Sequence, residues 1–165
     1  MIAVGTRAAD MLYALVAGRD GVDCQFRRRA ALLGIGNSTA LPINVMRGQY
    51  SVSLNEKKGS YKYPYICLYC STIENNLRKK FQTFSGTVTL VIEIRHSANR
   101  VEETESVCLA LVDSVIAVLE GSRGEWNPGF TYSGAYTVKF DPVVMGGVNY
   151  CQGARIEISV DANLS

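Results

Sequence analysis

A chain of 165 residues with 47% hydrophobic and 19% charged side chains has the size and composition of one folded domain with a single apolar core. The net charge of +2 hides an asymmetry, because residues 1–82 carry twelve Lys/Arg against five Asp/Glu and residues 83–165 carry five against ten, leaving the halves at +7 and −5. Such a division fits nucleic-acid contact, complementary faces that meet around a ring, or an ordinary solvated surface.

Thr6 is placed to cap a first helix in which Ala8, Met11, Leu12, Leu15 and Val16 recur at helical spacing, and Gly18 is placed to end it. Over residues 21–36, Phe26, Ala30 and Leu33 suggest a helix, while Gly34, Gly36 and Pro42 break it quickly. A short strand is expected over residues 43–46, and another where Tyr50, Val52 and Leu54 alternate with serines. Residues 55–60, with Glu56, Lys57, Lys58 and Gly59, then read as a charged hairpin tip or loop. Pro64 introduces residues 65–70, six uncharged strand formers expected to lie centrally in a sheet and to be covered on both faces. Between residues 71 and 86, Ile73, Leu77 and Phe81 at four-residue spacing suggest a helical turn or two opened by Ser71 and Glu74.

Residues 87–95 are expected to form a strand, with Val88, Leu90, Ile92 and Ile94 on one face and Thr89, Val91, Glu93 and Arg95 on the other. A long helix is expected over residues 100–120, opened by Asn99 with Glu102 and stopped at Gly121. Glu103, Ser106, Asp113 and Glu120 form its polar stripe. Val101, Cys108, Leu111, Val112, Val115, Ile116 and Leu119 span more than one sheet contact requires, which leaves room for cover by another subunit. Asn127, Pro128 and Gly129 mark a turn after Trp126. Two strands close the chain, one with Tyr136, Val138 and Phe140 on a shared face and one with Ala154, Ile156, Ile158 and Val160, joined through Pro142 and the Gly146–Gly147 pair. The order describes a single α+β domain over residues 1–165, a mainly antiparallel sheet packed by an N-terminal helix and one long central helix.

Chemically reactive groups are sparse. His96 is the single histidine, so any Ser–His or Cys–His arrangement runs through it, and its place just past a strong strand reads as an ordinary exposed or capping residue. Cys67 and Cys70 have the spacing of a redox or zinc pair, but on a strand residues three apart point to opposite faces. With Cys24, Cys108 and Cys151 they make an odd set without framework spacing, read as small buried hydrophobes in a reducing compartment. Gly34, Gly36 and Asn37 lack the Lys-Ser/Thr ending of a phosphate loop, and Glu102, Glu103 and Glu105 have a sufficient reason in the helix dipole. No catalytic, metal or cofactor residue is expected. The apolar run before Arg7 is too short for a signal peptide, and Asp113 and Ser114 interrupt residues 107–119, so neither secretion nor membrane spanning is expected. The basic residues Arg27, Arg28 and Arg29, Lys57, Lys58 and Lys62, and Arg78, Lys79 and Lys80 are able to track a phosphate backbone, with Tyr61, Tyr63, Tyr65 and Tyr69 as stacking surfaces. Alternating tyrosines suit a half-buried strand equally well.

The run Tyr63-Pro64-Tyr65-Ile66, a polar connection, Thr87-Val88-Thr89-Leu90-Val91-Ile92-Glu93-Ile94-Arg95, and Asn99-Arg100-Val101-Glu102 leading into a long helix is similar to the tail-terminator, or tail-completion, proteins of long-tailed bacteriophages. The opening helix ending in Val16-Ala17-Gly18 fits the same pattern, whereas the extended region 37–60 and the cysteine-bearing strand depart from it. The resemblance implies a virion protein, assembled in the host cytoplasm, that forms a ring, typically a hexamer, at the head-proximal end of the tail tube. Its implied partners are further copies of itself, the tail tube protein and a head–tail connector protein, with DNA passing through the ring; no cofactor, catalysis or membrane is involved. The interface candidates are Arg27, Arg28, Arg29, Lys57, Lys58, Lys79 and Lys80. Another neck component and a basic nucleic-acid-binding module are the alternative readings.

Overall fold

Val4, Ala8, Leu12 and Val16 follow one another at the four-residue spacing that keeps side chains on one helical face, and all four are buried on α1 (Val4–Val16). The same spacing brings Val22, Phe26 and Ala30 inward from α2 (Val22–Leu33). The computed structural model describes residues 3–35, 42–49 and 62–165. Within them lie a third helix, α3 (Val101–Gly121), and seven strands: β1 (Asn44–Arg47), β2 (Tyr65–Asn75), β3 (Phe84–Ala98), β4 (Gly124–Asn127), β5 (Phe130–Phe140), β6 (Val144–Gly146) and β7 (Asn149–Leu164). The expected strand around Tyr50, Val52 and Leu54 and the tip bearing Lys57 and Lys58 lie outside the described residues.

The strands form one sheet in the order β1-β2-β3-β7-β5-β4, with β6 pairing the start of β7. Only β1 and β2 run parallel; the other pairs are antiparallel. The architecture is α+β, as the element order implied. Period-two alternation fixes the register: Val88, Leu90, Ile92 and Ile94 stand opposite Val160, Ile158, Ile156 and Ala154, and all eight are buried. The intervening Thr87, Thr89, Glu93, Arg155, Glu157, Ser159 and Asp161 face the other side together with buried Val91, Cys67 and Tyr65, so the helices cover one face and the second is polar over most of β3 and β7.

Several boundaries differ from the local reading. The first helix starts at Val4, with Ala3 at its N-cap, so Thr6 lies inside it and caps nothing. Residues 22–33 resolve as a full helix, ended by Gly34 in the left-handed conformation (φ 64°) with the Ile35 N–H donating to the Ala30 carbonyl. Arg100 rather than Asn99 is the N-cap of α3, and the Thr104 hydroxyl donates to its carbonyl at 2.7 Å.

The segment after Cys70 is strand: Ile73 pairs with Val88 and Glu74 with Thr87, so β2 reaches Asn75 after a bulge between Cys70 and Thr72. The helical turns expected around Ile73, Leu77 and Phe81 are absent. A long partner strand satisfies the backbone there, and it outweighs a weak local periodicity. In turn β2 lies one strand in from the β1 edge, with β3 and β7 at the centre.

The breadth of the apolar face of α3 is filled from within the chain. The helix packs on β3 and β7, on α2 and, to a lesser extent, on α1. Glu103, Ser106, Asp113 and Glu120 line the exposed side, as their spacing required. The Trp126–Pro128 region forms the β4–β5 hairpin, where the Trp126 indole N–H donates to the Ser122 carbonyl at 2.7 Å and the ring packs 5.4 Å from that of Tyr132.

Candidate interaction surfaces

Strand direction sorts the exposed groups. The loop joining β2 to β3 lies at one end of the sheet, together with the C-terminal end of β7, because Phe84 pairs with Leu164. The β6–β7 turn and the first turn of α3 lie at the other end, because Ala98 pairs with Tyr150 and α3 starts three residues after Ala98.

At the first end, Arg78, Lys79 and Lys80 sit between Leu77 and Phe81. Both apolar residues have positive φ, 46° and 70°, and point outward, Leu77 62% and Phe81 100% exposed. Non-glycine side chains rarely hold that conformation without a surrounding constraint. Here the constraint is a polar clasp: the Asn75 side-chain carbonyl accepts from the Leu77 and Ser85 N–H groups, and the Ser85 hydroxyl accepts from the Lys79 N–H and donates to Asn163. Arg78 is held by Asp161 at 3.4 Å and by Thr87. Lys79 and Lys80 make no ion pair among the described residues.

At the opposite end the β6–β7 turn carries Val144, Met145 (70% exposed) and Val148 (93% exposed) around Gly146 and Gly147. Glu102, Glu103 and Glu105, all exposed on the opening turns of α3, are unpaired among the described residues. Neither apolar tip featured among the interface candidates drawn from charge. Apolar residues flanking a Gly-Gly turn were the readable signal for the second tip.

The basic candidates are not brought together as one surface. Arg27 and Arg28 are exposed on α2, where Arg27 pairs with Asp23 at 3.0 Å and Arg29 donates to Gln25 at 3.3 Å. Lys79 and Lys80 belong to the sheet end, and Lys57 and Lys58 lie outside the described residues. Two of the tyrosines offered as stacking surfaces are engaged elsewhere. Tyr65 is buried with its ring centroid 5.4 Å from that of Tyr63, and the Tyr69 hydroxyl donates to Glu93 at 2.8 Å; burial, and after it this bond, raise the Tyr69 pKa to about 12.

His96 departs from the expected exposed or capping residue. The sheet continues past Arg95, His96 pairs with Gln152 across β7, and the imidazole is only 3% exposed. Neither ring nitrogen has a hydrogen-bond partner among the described residues, and neither does the Gln152 side-chain oxygen. Desolvation lowers the imidazole pKa from 6.5 to about 4. Unfolded chains bind this proton once pH drops below about 6.5, and the folded protein resists it until about 4. The contribution of a neutral His96 is therefore complete above 6.5 and is lost as pH falls toward 4. Urea unfolding should show about 2 kcal/mol of stability lost through this group between pH 7 and 5, and His96→Gln should flatten that part of the profile. An unchanged slope in the variant would place the imidazole in water.

Cys67 is buried and Cys70 half-buried on opposite strand faces, and no disulfide joins any of the five cysteines. Burial pushes the Cys67 and Cys108 thiols up, to about 11 and about 12, so both are protonated at neutral pH and poor nucleophiles. No group of three metal-ligating side chains occurs among the described residues, and no described helix is long and apolar enough to cross a membrane. A cavity of about 500 Å³ lies between the α1–α2 corner and edge strand β1, lined by Tyr13, Val22, Asp23, Val45, Lys62 and Tyr65 among others. The one carboxylate of its described lining, Asp23, is paired with Arg27 at 3.0 Å on its own helix. A scan against protein-family models finds no match, and a search of curated proteins finds none.

Proposed function

We propose that this chain is a structural subunit of a long-tailed phage particle, assembling as a ring, hexameric by the family resemblance, at the head-proximal end of the tail tube. There it stops tube polymerisation and presents a docking surface to the head. The observation that carries this reading is the division of one body into two chemically different ends. A plate built on the 15-residue β3 and the 16-residue β7 is backed by helices, and exposed apolar tips stand at each end, beside cations at one and carboxylates at the other. A ring subunit holds one neighbour at each of two unlike surfaces, and a rigid frame keeps the angle between them constant. The work is association, without catalysis.

Its partners in this role are copies of itself, the tail tube protein and a head–tail connector protein, and the ring leaves a passage for DNA. Another neck component would share the same core. The nucleic-acid reading is weaker, because Tyr65 and Tyr69 are committed within the protein and the basic side chains are divided between α2 and the sheet end.

Electron microscopy of the gold-labelled protein mixed with purified tail tubes tests the assignment. Label at a single end of each tube, with tube growth arrested, is the expected result. Label along the tube wall, or none, overturns it.

A further inference from the structure

We propose that the two ends of the sheet are complementary docking surfaces through which one copy of this chain holds the next, head to tail. The inference rests on the ring reading and names the surfaces that would build it. The β2–β3 loop of one copy, with Lys79 and Lys80 between Leu77 and Phe81, seats against the end of a second copy formed by Glu102, Glu103 and Glu105 and the tip of Val144, Met145 and Val148.

Three observations lead to a second copy as the occupant. Charge is complementary in sign: Lys79 and Lys80 lack an ion pair among the described residues and outnumber the nearby Glu74, while Glu102, Glu103 and Glu105 also lack one and outnumber the exposed Arg100 before them. Each end also carries exposed apolar side chains, so desolvating one end against the other covers apolar area while it pairs charge. Position is the third. The ends are separated by the whole of β3, 15 residues, or about 45 Å of strand, so a protomer uses both at once and each junction leaves a free end for the next. Pairing like end with like end sets cations against cations, which disfavours an end-to-end two-fold contact. Contacts between unlike patches close into a ring when the rotation permits it. A nucleic acid on the basic end would leave the acidic end and its apolar tip without a role.

Charge exchange provides the test. The variants are K79E/K80E and E102K/E105K, all at exposed loop or helix-surface positions, with thermal melts to confirm that both fold. Sedimentation velocity at low salt over a concentration series reads self-association. Each variant alone should associate at least about tenfold more weakly than the wild type, since every junction then opposes like charges. An equimolar mixture should recover the wild-type distribution, because each reversed end finds its complement on the other variant. High salt should weaken the wild type and the mixture alike. Variants that assemble as the wild type does would overturn these surfaces and leave the ring reading standing. A wild type that stays monomeric at every concentration would overturn the inference, with capture at tube ends still judging the ring. Lost affinity of K79E/K80E for duplex DNA with unaltered assembly would assign the basic end to nucleic acid and overturn the proposal.

Discussion

Leu111→Ala is expected to lower the unfolding free energy by about 2–5 kcal/mol, the range for truncating a buried leucine where the surroundings cannot collapse into the space. Leu111 is completely buried on α3, which packs on β3, β7 and α2. Two strands and a second helix all bear on α3, so relaxation around the cavity is limited. At about 2–4 °C of melting temperature per kcal/mol for a domain of this size, calorimetry should record a fall of roughly 5–15 °C. Leu109, two residues earlier, is 44% exposed, and Leu109→Ala should stay within about 0.5 kcal/mol of the parent. Equal effects from the two substitutions would show that the face of α3 has been assigned wrongly.

Gly86→Val should be comparably severe for a different reason. Gly86 pairs with Asn75 on one side and Ala162 on the other, and a Cβ at this position would lie 1.7 Å from the carbonyl oxygen of Glu74. That neighbour is strand backbone, so the overlap is relieved only by parting β2 from β3. A loss of about 2–4 kcal/mol is expected. Amide exchange should be accelerated first around Asn75 and Ser85, whose side chains clasp the loop. As a control, Gly121 at the end of α3 has nothing within 4 Å of its would-be Cβ, and Gly121→Ala should be close to neutral. Retained protection at the hairpin in Gly86→Val would show that β2 and β3 pair in another register.

Much of the fold was legible because its strongest elements are locally periodic. Residues 154–160 alternate strictly, residues 88–94 do so except at Val91, and the apolar positions of α3 recur at three and four, so their faces follow from side-chain geometry alone. Local pattern decides nothing where the residues are neutral. Ser71, Ile73 and Glu74 carry a helical spacing as readily as an extended one, and β3 decided between them. Phe26 and Ala30 mark α2, yet nearby glycines obscured its length until Gly34 proved to be its left-handed stop.

The candidate site was legible in its charge and hidden in its place. Lys79 and Lys80 were noted as cations, but nothing near them in the chain indicates that Leu77 and Phe81 would be held outward by a clasp reaching to Asn163, 78 residues beyond Ser85. His96 was read as exposed because the alternation weakens after Arg95. Only β7 running alongside, with Gln152 opposite, carries it inside.

Amino-acid order by itself settled the periods, hence the sheet's apolar face, the outward stripe of α3 and the opposite charges of the two halves. Tertiary pairing decided that cations from one half and carboxylates from the other stand at opposite ends of a long strand, each beside an apolar tip. The physical reason is that periodicity is written between near neighbours, whereas strand order and end-to-end separation come from hydrogen-bonded partners far apart in the chain, for which no local pattern exists.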